Sequence, residues 1–341
     1  MTARDLPGLE LARLGAWLQG NLPGAGSDLS AELIAGGKSN LTYEVTDGAS
    51  TWIVRRPPLG HVLATAHDMR REFRVMSALQ DTPVPVPRTY ALCEDVDVLG
   101  APFYLMERIN GRPYRSAAEL AELGPERTLV ISQGLVDTLA ALHRVEPEAV
   151  GLGDFGRPEG FLGRQVGRWK KQLDASSTRD LPVADELYAR LAADVPVESA
   201  TGIVHGDYRL DNVLVDDRDR LAAVVDWEMA TLGDPLTDLA LMLVYGRLGE
   251  MLDGETVTDA ASAPGFLDER EIIERYADNS ERDLSGFGFY LGLAAFKLAA
   301  ILEGINYRHL HGQTVGPGFD ALGQTIHPLL ELGLDALKEQ R

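Results

Sequence analysis

The run His205-Gly206-Asp207-Tyr208-Arg209-Leu210-Asp211-Asn212, with Val224-Val225-Asp226-Trp227-Glu228 after it, concentrates hard oxygen donors in two short stretches. Transfer of a phosphoryl group needs a carboxylate that orients and deprotonates the attacking hydroxyl. It also needs oxygen ligands that hold magnesium against a triphosphate. Asp207 suits the first task. Asn212 and Asp226 suit the second, because a hairpin that starts at one and ends at the other returns both side chains to one end of a small sheet. Taken singly, a His-x-Asp is common in turns, and an Asp closing an apolar strand is often a turn or helix cap. The joint order of Asp, Asn, apolar hairpin and Asp is far more specific than any one piece.

The elements that must position these residues can be read from periodicity. Leu41 to Val45 and Thr51 to Arg55 are β-rich runs around an Asp47-Gly48 turn signal, which predicts a hairpin. Asp68 to Gln80 carries Met69, Phe73, Met76 and Leu79 at helical spacing, so an amphipathic helix is expected to pack on that hairpin. Arg88 to Leu92 and Pro102 to Arg108 read as two further strands joined through Asp95 to Gly100. Beyond Gly111 helical patterns dominate, over Thr128 to His143, Thr237 to Leu248, Glu269 to Ala277 and Gly286 to Asn306. Val213 to Val215 and Leu221 to Val225 are short strands around the charged turn Asp216 to Arg220. The expected fold is α+β: a nucleotide-binding lobe over 1–108, small and β-rich with one helix and a leading helical segment at 1–29, then a mainly helical catalytic and substrate lobe over 109–341. Its order and spacing match the kinase catalytic loop.

Composition narrows the partners. At 341 residues and 45% hydrophobic content the chain can bury a sizeable core. A formal charge of -20 repels nucleic-acid phosphates and anionic membrane surfaces, so neither is an expected partner. Cys93 is the single cysteine, which excludes an internal disulfide or a multi-cysteine metal site. The first twenty residues lack the basic start and apolar run of a secretory signal, and a cytoplasmic location is expected. The apolar stretch from Gly286 meets Lys297 and Glu303, short of the roughly 20 uncharged residues of a membrane span, and reads as a buried helix.

On these motifs the sequence resembles the aminoglycoside phosphotransferase and choline kinase-like family, whose pattern is His-Gly-Asp-x-x-x-x-Asn followed by Ile/Val-Asp-Trp/Phe-Glu. Within it, the sequence is most similar to a bacterial and vertebrate subgroup associated with acyl-CoA dehydrogenases. The likeness runs through Gly36 to Thr42, Val54 to Pro58, Arg71 to Met76 and Gly233 to Leu239, and spans roughly residues 30 to 310 by motif order. The resemblance implies a protein-kinase-like two-lobe fold, ATP and Mg2+ as cofactors, a small hydroxylated substrate and a functional link to acyl-CoA dehydrogenases. It implies that Gly36, Gly37, Ser39 and Asn40 form the loop over the phosphates, and that Glu72 pairs with a cation on the preceding strand. That cation is Arg55 where most kinases have lysine, with Arg56 beside it; strand alternation puts Val54 and Arg56 on one face, Ile53 and Arg55 on the other. Glu107 and Ile109 are expected to meet the adenine edge through their backbones. Asp234, Asp238, His143 and His205 are expected to anchor and pack rather than to react.

Only Trp227 to Asp234 separate Asp226 from Pro235, too little for the activation segment on which a protein kinase docks peptides, so small molecules are the expected substrates. The resemblance implies two acceptor classes: a hydroxylated acyl compound such as a hydroxyacyl-CoA, and an aminoglycoside. A non-catalytic nucleotide-binding module is the other reading.

Overall fold

In the computed structural model, residues 6–34, 40–60, 67–197, 201–252, 258–313 and 319–338 are described. The chain divides into two compact units, Met1–Gly111 with Ala222–Ala230, and Arg112–Leu221 with Thr231–Arg341. The fold is α+β and kinase-like, an antiparallel sheet unit and a mainly helical one, as the motif order predicts.

The first unit is built on β1 (Ser30–Leu33), β2 (Leu41–Thr46), β3 (Thr51–Arg56), β4 (Thr89–Cys93) and β5 (Phe103–Glu107), which form an antiparallel sheet of order β1-β2-β3-β5-β4. The hairpin β2–β3 has Tyr43 opposite Val54 and Thr42 opposite Arg55. Asp47 closes its turn by accepting hydrogen bonds from the Ala49 and Ser50 amides. Alternation then sorts the side chains. Tyr43, Val45, Trp52, Val54, Phe103 and Leu105 face one way and bury against Leu11, Leu14 and Leu18 of α1 (Leu11–Asn21). Arg55 and Tyr104, paired across β3 and β5, face the other way, toward Glu72 of α2 (Met69–Leu79). Asp68 caps α2 by accepting from the Arg70 and Arg71 amides. Beyond the expected hairpin, strands and α2, the unit holds the edge strand β1 and the single-turn α3 (Val96–Leu99) within the expected 95–100 connector.

The two adjacent arginines of β3 go to opposite faces with different fates. Arg56 is buried, and its guanidinium donates to the Gly8 and Leu99 carbonyls at 2.6 Å each and to the Pro57 carbonyl at 3.2 Å. It ties the segment before α1 and the end of α3 to β3.

In the second unit, α4 (Ala117–Ala121), α5 (Pro125–His143), α6 (Phe161–Ser176) and α7 (Pro182–Ala193) precede the short strand β6 (Gly202–Val204) and the catalytic-loop motif. β7 (Val213–Val215) follows, with Asp216 closing the next turn onto the Arg220 amide, and β8 (Leu221–Val224) begins the 222–230 segment of the first unit. β9 (Thr231–Gly233) pairs antiparallel with β6 and leads into α8 (Leu236–Met251). After α9 (Glu269–Asn279), α10 (Phe287–Leu310) runs through the middle of the unit, packed by α6, α7, α8 and α11 (Phe319–Lys338). By length and composition α10 could cross a membrane, but it is buried along most of its length, which makes it a core helix.

Removing the Arg56 side chain leaves two or more inward carbonyls without donors, each costing roughly 1–3 kcal/mol. Arg56→Ala is therefore expected to lower unfolding stability by about 3 kcal/mol, read as a fall in the urea midpoint at unchanged slope.

Candidate active site

In the first unit, Arg55 is the centre of a buried charge cluster. Its Nε lies 3.0 Å from Glu72 Oε2 and its Nη2 lies 2.5 Å from Asp226 Oδ1. Tyr104 donates its hydroxyl to Glu72 Oε2 at 2.9 Å, and Asn40 Nδ2 donates to Glu72 Oε1 at 3.1 Å and to Glu228 Oε2 at 3.3 Å. Burial alone would lower the Arg55 pKa, but Glu72 above all, then Tyr104 and Asp226, push it up, so the guanidinium is charged at every working pH. Burial pushes the Glu72 carboxyl up from the usual range, and Arg55 opposes that shift.

Asp226 has a left-handed backbone, φ 66° and ψ 58°, a conformation rare for residues other than glycine. Strain of this kind is kept where the surroundings over-determine the residue and the direction of its side chain matters. Trp227 supports the turn by donating its indole N–H to the Val224 carbonyl at 3.0 Å. Glu72, Asp226 and Glu228 bring carboxylate oxygens within 4.8 Å of one another. Both Glu72 oxygens are engaged, by Arg55, Tyr104 and Asn40, whereas Arg55 meets Asp226 through Oδ1, so Asp226 is the better-suited cation ligand of the three. On β5, Glu107 uses its amide on the Arg88 carbonyl at 2.7 Å and its carboxylate on the Arg88 amide at 3.2 Å. Ile109 follows it, partly buried. Gly36, Gly37 and Ser39 lie outside the described residues.

In the second unit, the catalytic-loop motif hangs from one buried carboxylate on α8. Asp238 accepts from the His205 amide at 2.6 Å and the Gly206 amide at 2.8 Å. Its third partner is His143 Nε2 at 3.5 Å, while His143 Nδ1 lies 2.7 Å from the Tyr276 hydroxyl. A neutral His143 protonated on Nε2 satisfies both, donating to Asp238 and accepting from Tyr276. Burial pushes the His143 pKa down, and although burial opposes it, the His143 bond holds Asp238 below the usual range. Gly206 has φ +84°, so the bend between the two bonded amides needs glycine.

That bend presents Asp207. Asn212 Nδ2 donates to the Asp207 backbone carbonyl at 2.9 Å and to its carboxylate Oδ2 at 3.0 Å. Both amide hydrogens are thus spent on Asp207, and the oxygen Oδ1 of Asn212 is what the side chain has left to offer a hard cation. A hard oxygen of this kind is a donor that suits magnesium.

Lys297 of α10 donates its ammonium to the Gly206 carbonyl at 2.7 Å and stands 5.5 Å over the Trp169 ring. Burial lowers its pKa, opposed by Asp207 and Asp238. Burial above all, then the Asp207 carboxylate, pushes the pKa of Tyr245 of α8 up. Arg209 is paired with Asp211 at 2.6 Å.

Of the basic residues that could attract an anion, Lys170 is paired with Asp174. Arg164 is spent on the Glu159 and Arg157 carbonyls. The roles of Asn40, Tyr104 and Tyr245 carry no motif. The signal available for Tyr104 was its place opposite Arg55 on the same sheet face.

A match to the phosphotransferase enzyme family covers residues 30–272. The chain belongs to that family. It is 34% identical over 337 residues to acyl-CoA dehydrogenase family member 11 of Rattus norvegicus, covering 95% of this chain and 43% of that protein. It is 34% identical over 296 residues to a probable acyl-CoA dehydrogenase, IBR3, of Arabidopsis thaliana, covering 81% of this chain and 36% of the relative. The chain thus spans less than half the length of these curated relatives. Among solved structures, a Ralstonia eutropha protein provisionally assigned as an aminoglycoside phosphotransferase superposes with a TM-score of 0.85 at 34% identity, over 97% of this chain and 98% of that one. Choline kinase from Cryptosporidium parvum superposes at 0.65 with 13% identity, over 96% and 95%, a likeness of fold alone. The family and its neighbours are small-molecule kinases and phosphotransferases.

A histidine kept neutral by folding binds a proton more readily once unfolded. The stability tied to His143 is therefore full above the ordinary histidine value of about 6.5 and is lost as pH falls below it, by up to about 1.4 kcal/mol per unit. Urea midpoints measured between pH 7.5 and 5.5 should fall in the wild type and flatten in His143→Gln.

Proposed function

We propose that the protein transfers the γ-phosphoryl group of ATP to a hydroxyl of a small acyl compound, such as a hydroxyacyl-CoA. The observation that carries the reading is the double hydrogen bond from Asn212 to Asp207. It supports Asp207 as the base and leaves the Asn212 amide oxygen as that side chain's remaining donor for a metal, within one six-residue loop. Asp207 accepts the proton of the acceptor hydroxyl as its oxygen bonds to the γ-phosphorus and the bridging oxygen leaves with ADP. Magnesium, held by Asn212 and Asp226, would neutralise charge on the triphosphate. Arg55, fixed by Glu72, supplies a permanent cation for the phosphates, able to grip two oxygens at once. With its amide taken by Arg88, Glu107 offers the adenine edge its carbonyl, and Ile109 its amide. The loop at Gly36, Gly37, Ser39 and Asn40 would cover the phosphates.

The acyl assignment draws on relatives named for acyl-CoA dehydrogenases, which also supports a functional link between the two activities. A panel of hydroxyacyl-CoA compounds competed against aminoglycosides at equal concentration, with product masses recorded, tests it; faster phosphorylation of the aminoglycosides reverses the acceptor class. Asp207→Asn is expected to cut the transfer rate by roughly a hundredfold or more while ATP still binds. Calorimetry with and without magnesium should show that Asp226→Ala loses the magnesium dependence of ATP binding. The same measurement should show Arg55→Ala weakening ATP more than Arg56→Ala.

A further inference from the structure

In the second unit a cavity of about 370 Å³ opens beside the catalytic loop, within the range of roughly 300–1,000 Å³ typical of ligand pockets. Its wall is largely apolar: Leu135 from α5, Met242 and Leu243 from α8, Phe266 and Leu267 from the segment before α9, and Ile272 from α9. Arg209 and Tyr245 also line it, with the Arg209 guanidinium 4.6 Å over the Tyr245 ring. Arg209 ties the cavity to the chemistry, because its Nε lies 3.8 Å from Asp207 Oδ2 while its guanidinium covers the Tyr245 ring.

The charges on the wall decide what fits. Arg209 is paired with Asp211, and Arg247 with both carboxylate oxygens of Glu269. Glu250 and Asp268 add negative charge. An anion entering here would meet cations already engaged and acids that repel it, whereas an uncharged chain would replace water against six hydrophobic side chains.

We propose that this cavity is the hydrocarbon subsite for the acceptor. It takes the uncharged alkyl chain of a hydroxylated acyl compound whose hydroxyl lies at Asp207 and whose anionic end stays outside. The inference rests on the phosphotransfer reading above. It makes the stacked pair Arg209 and Tyr245 the part of the chain's wall that stands next to the base. Gly246, one residue on and also in the wall, leaves room: a Cβ there would stand 3.4 Å from the Ala261 Cβ, so small side chains fit and larger ones fill the cavity.

Two measurements on the full chain test this. The first is phosphorylation of a hydroxyacyl-CoA series of increasing chain length beyond the hydroxyl, where kcat/KM should rise about fourfold per methylene until the cavity is full. Gly246→Leu should cut the preference for long over short chains at least tenfold, and Gly246→Ala should shift it less in the same direction. The second needs no turnover: 1-octanol titrated into protein labelled on the methionine methyls should move the Met242 signal, identified by its loss in Met242→Leu, saturably in the wild type and not in Gly246→Leu. Turnover without chain-length dependence, or a Met242 methyl that octanol leaves unmoved, overturns the subsite. No turnover on any chain alongside saturable octanol binding keeps the apolar cavity and removes the phosphotransfer reading instead.

Discussion

A carboxylate buried on α8 sets the geometry of the catalytic loop. Asp238 has no access to water, and an isolated charge in that position would be prohibitively costly. It is tolerated because the His205 and Gly206 amides and the His143 ring all point at it. The requirement works in both directions. The carboxylate needs those donors, and the backbone from Val204 to Asp207 can supply them only if it bends through a left-handed glycine. The conformation that presents Asp207 is therefore a by-product of neutralising a buried charge. Tyr276, Lys297 and the Tyr290–Asp234 pair close off the surroundings, so the bend has few alternatives.

The first unit solves a related problem with a cation. Arg55 takes two acids at once, and the cluster stays together because Glu72 is also bonded by Tyr104 and Asn40. The neighbouring Arg56 shows how strongly the strand period decides role. One residue along, the same side chain type becomes a buttress between backbone carbonyls on the opposite face. A slip of one residue in β3 would exchange the two and leave each acid and each carbonyl without its partner.

Much of this was legible in the sequence, for identifiable reasons. The β2–β3 hairpin, α2 and α5 were readable because their apolar periods are unmixed. The opposed faces of Arg55 and Arg56 followed from alternation alone, and the anchoring role of Asp238 from its place at the start of a helix beside the loop. The edge strand β1 is short and mostly exposed, so it carries no apolar pattern to detect. β6 and β9 have three residues each, below the length at which periodicity has meaning. In the candidate site, residues bound by motif chemistry were visible, whereas the bonds from Tyr104 to Glu72 and from Lys297 to the Gly206 carbonyl arise through tertiary packing that no local pattern encodes.

The central helix α10 has a consequence for how the protein is made. Synthesis runs from the amino end, so Phe287–Leu310 leaves the ribosome before its largest packing partner, α11, exists. During that interval the nascent chain displays a long apolar segment, broken by Lys297 and Glu303, that its finished fold keeps buried. Correct folding then depends on α6, α7 and α8, already synthesised, sheltering that segment quickly enough to keep it from competing contacts. The second unit is thus exposed to a kinetic race during translation, at a point in the chain well past the catalytic-loop motif.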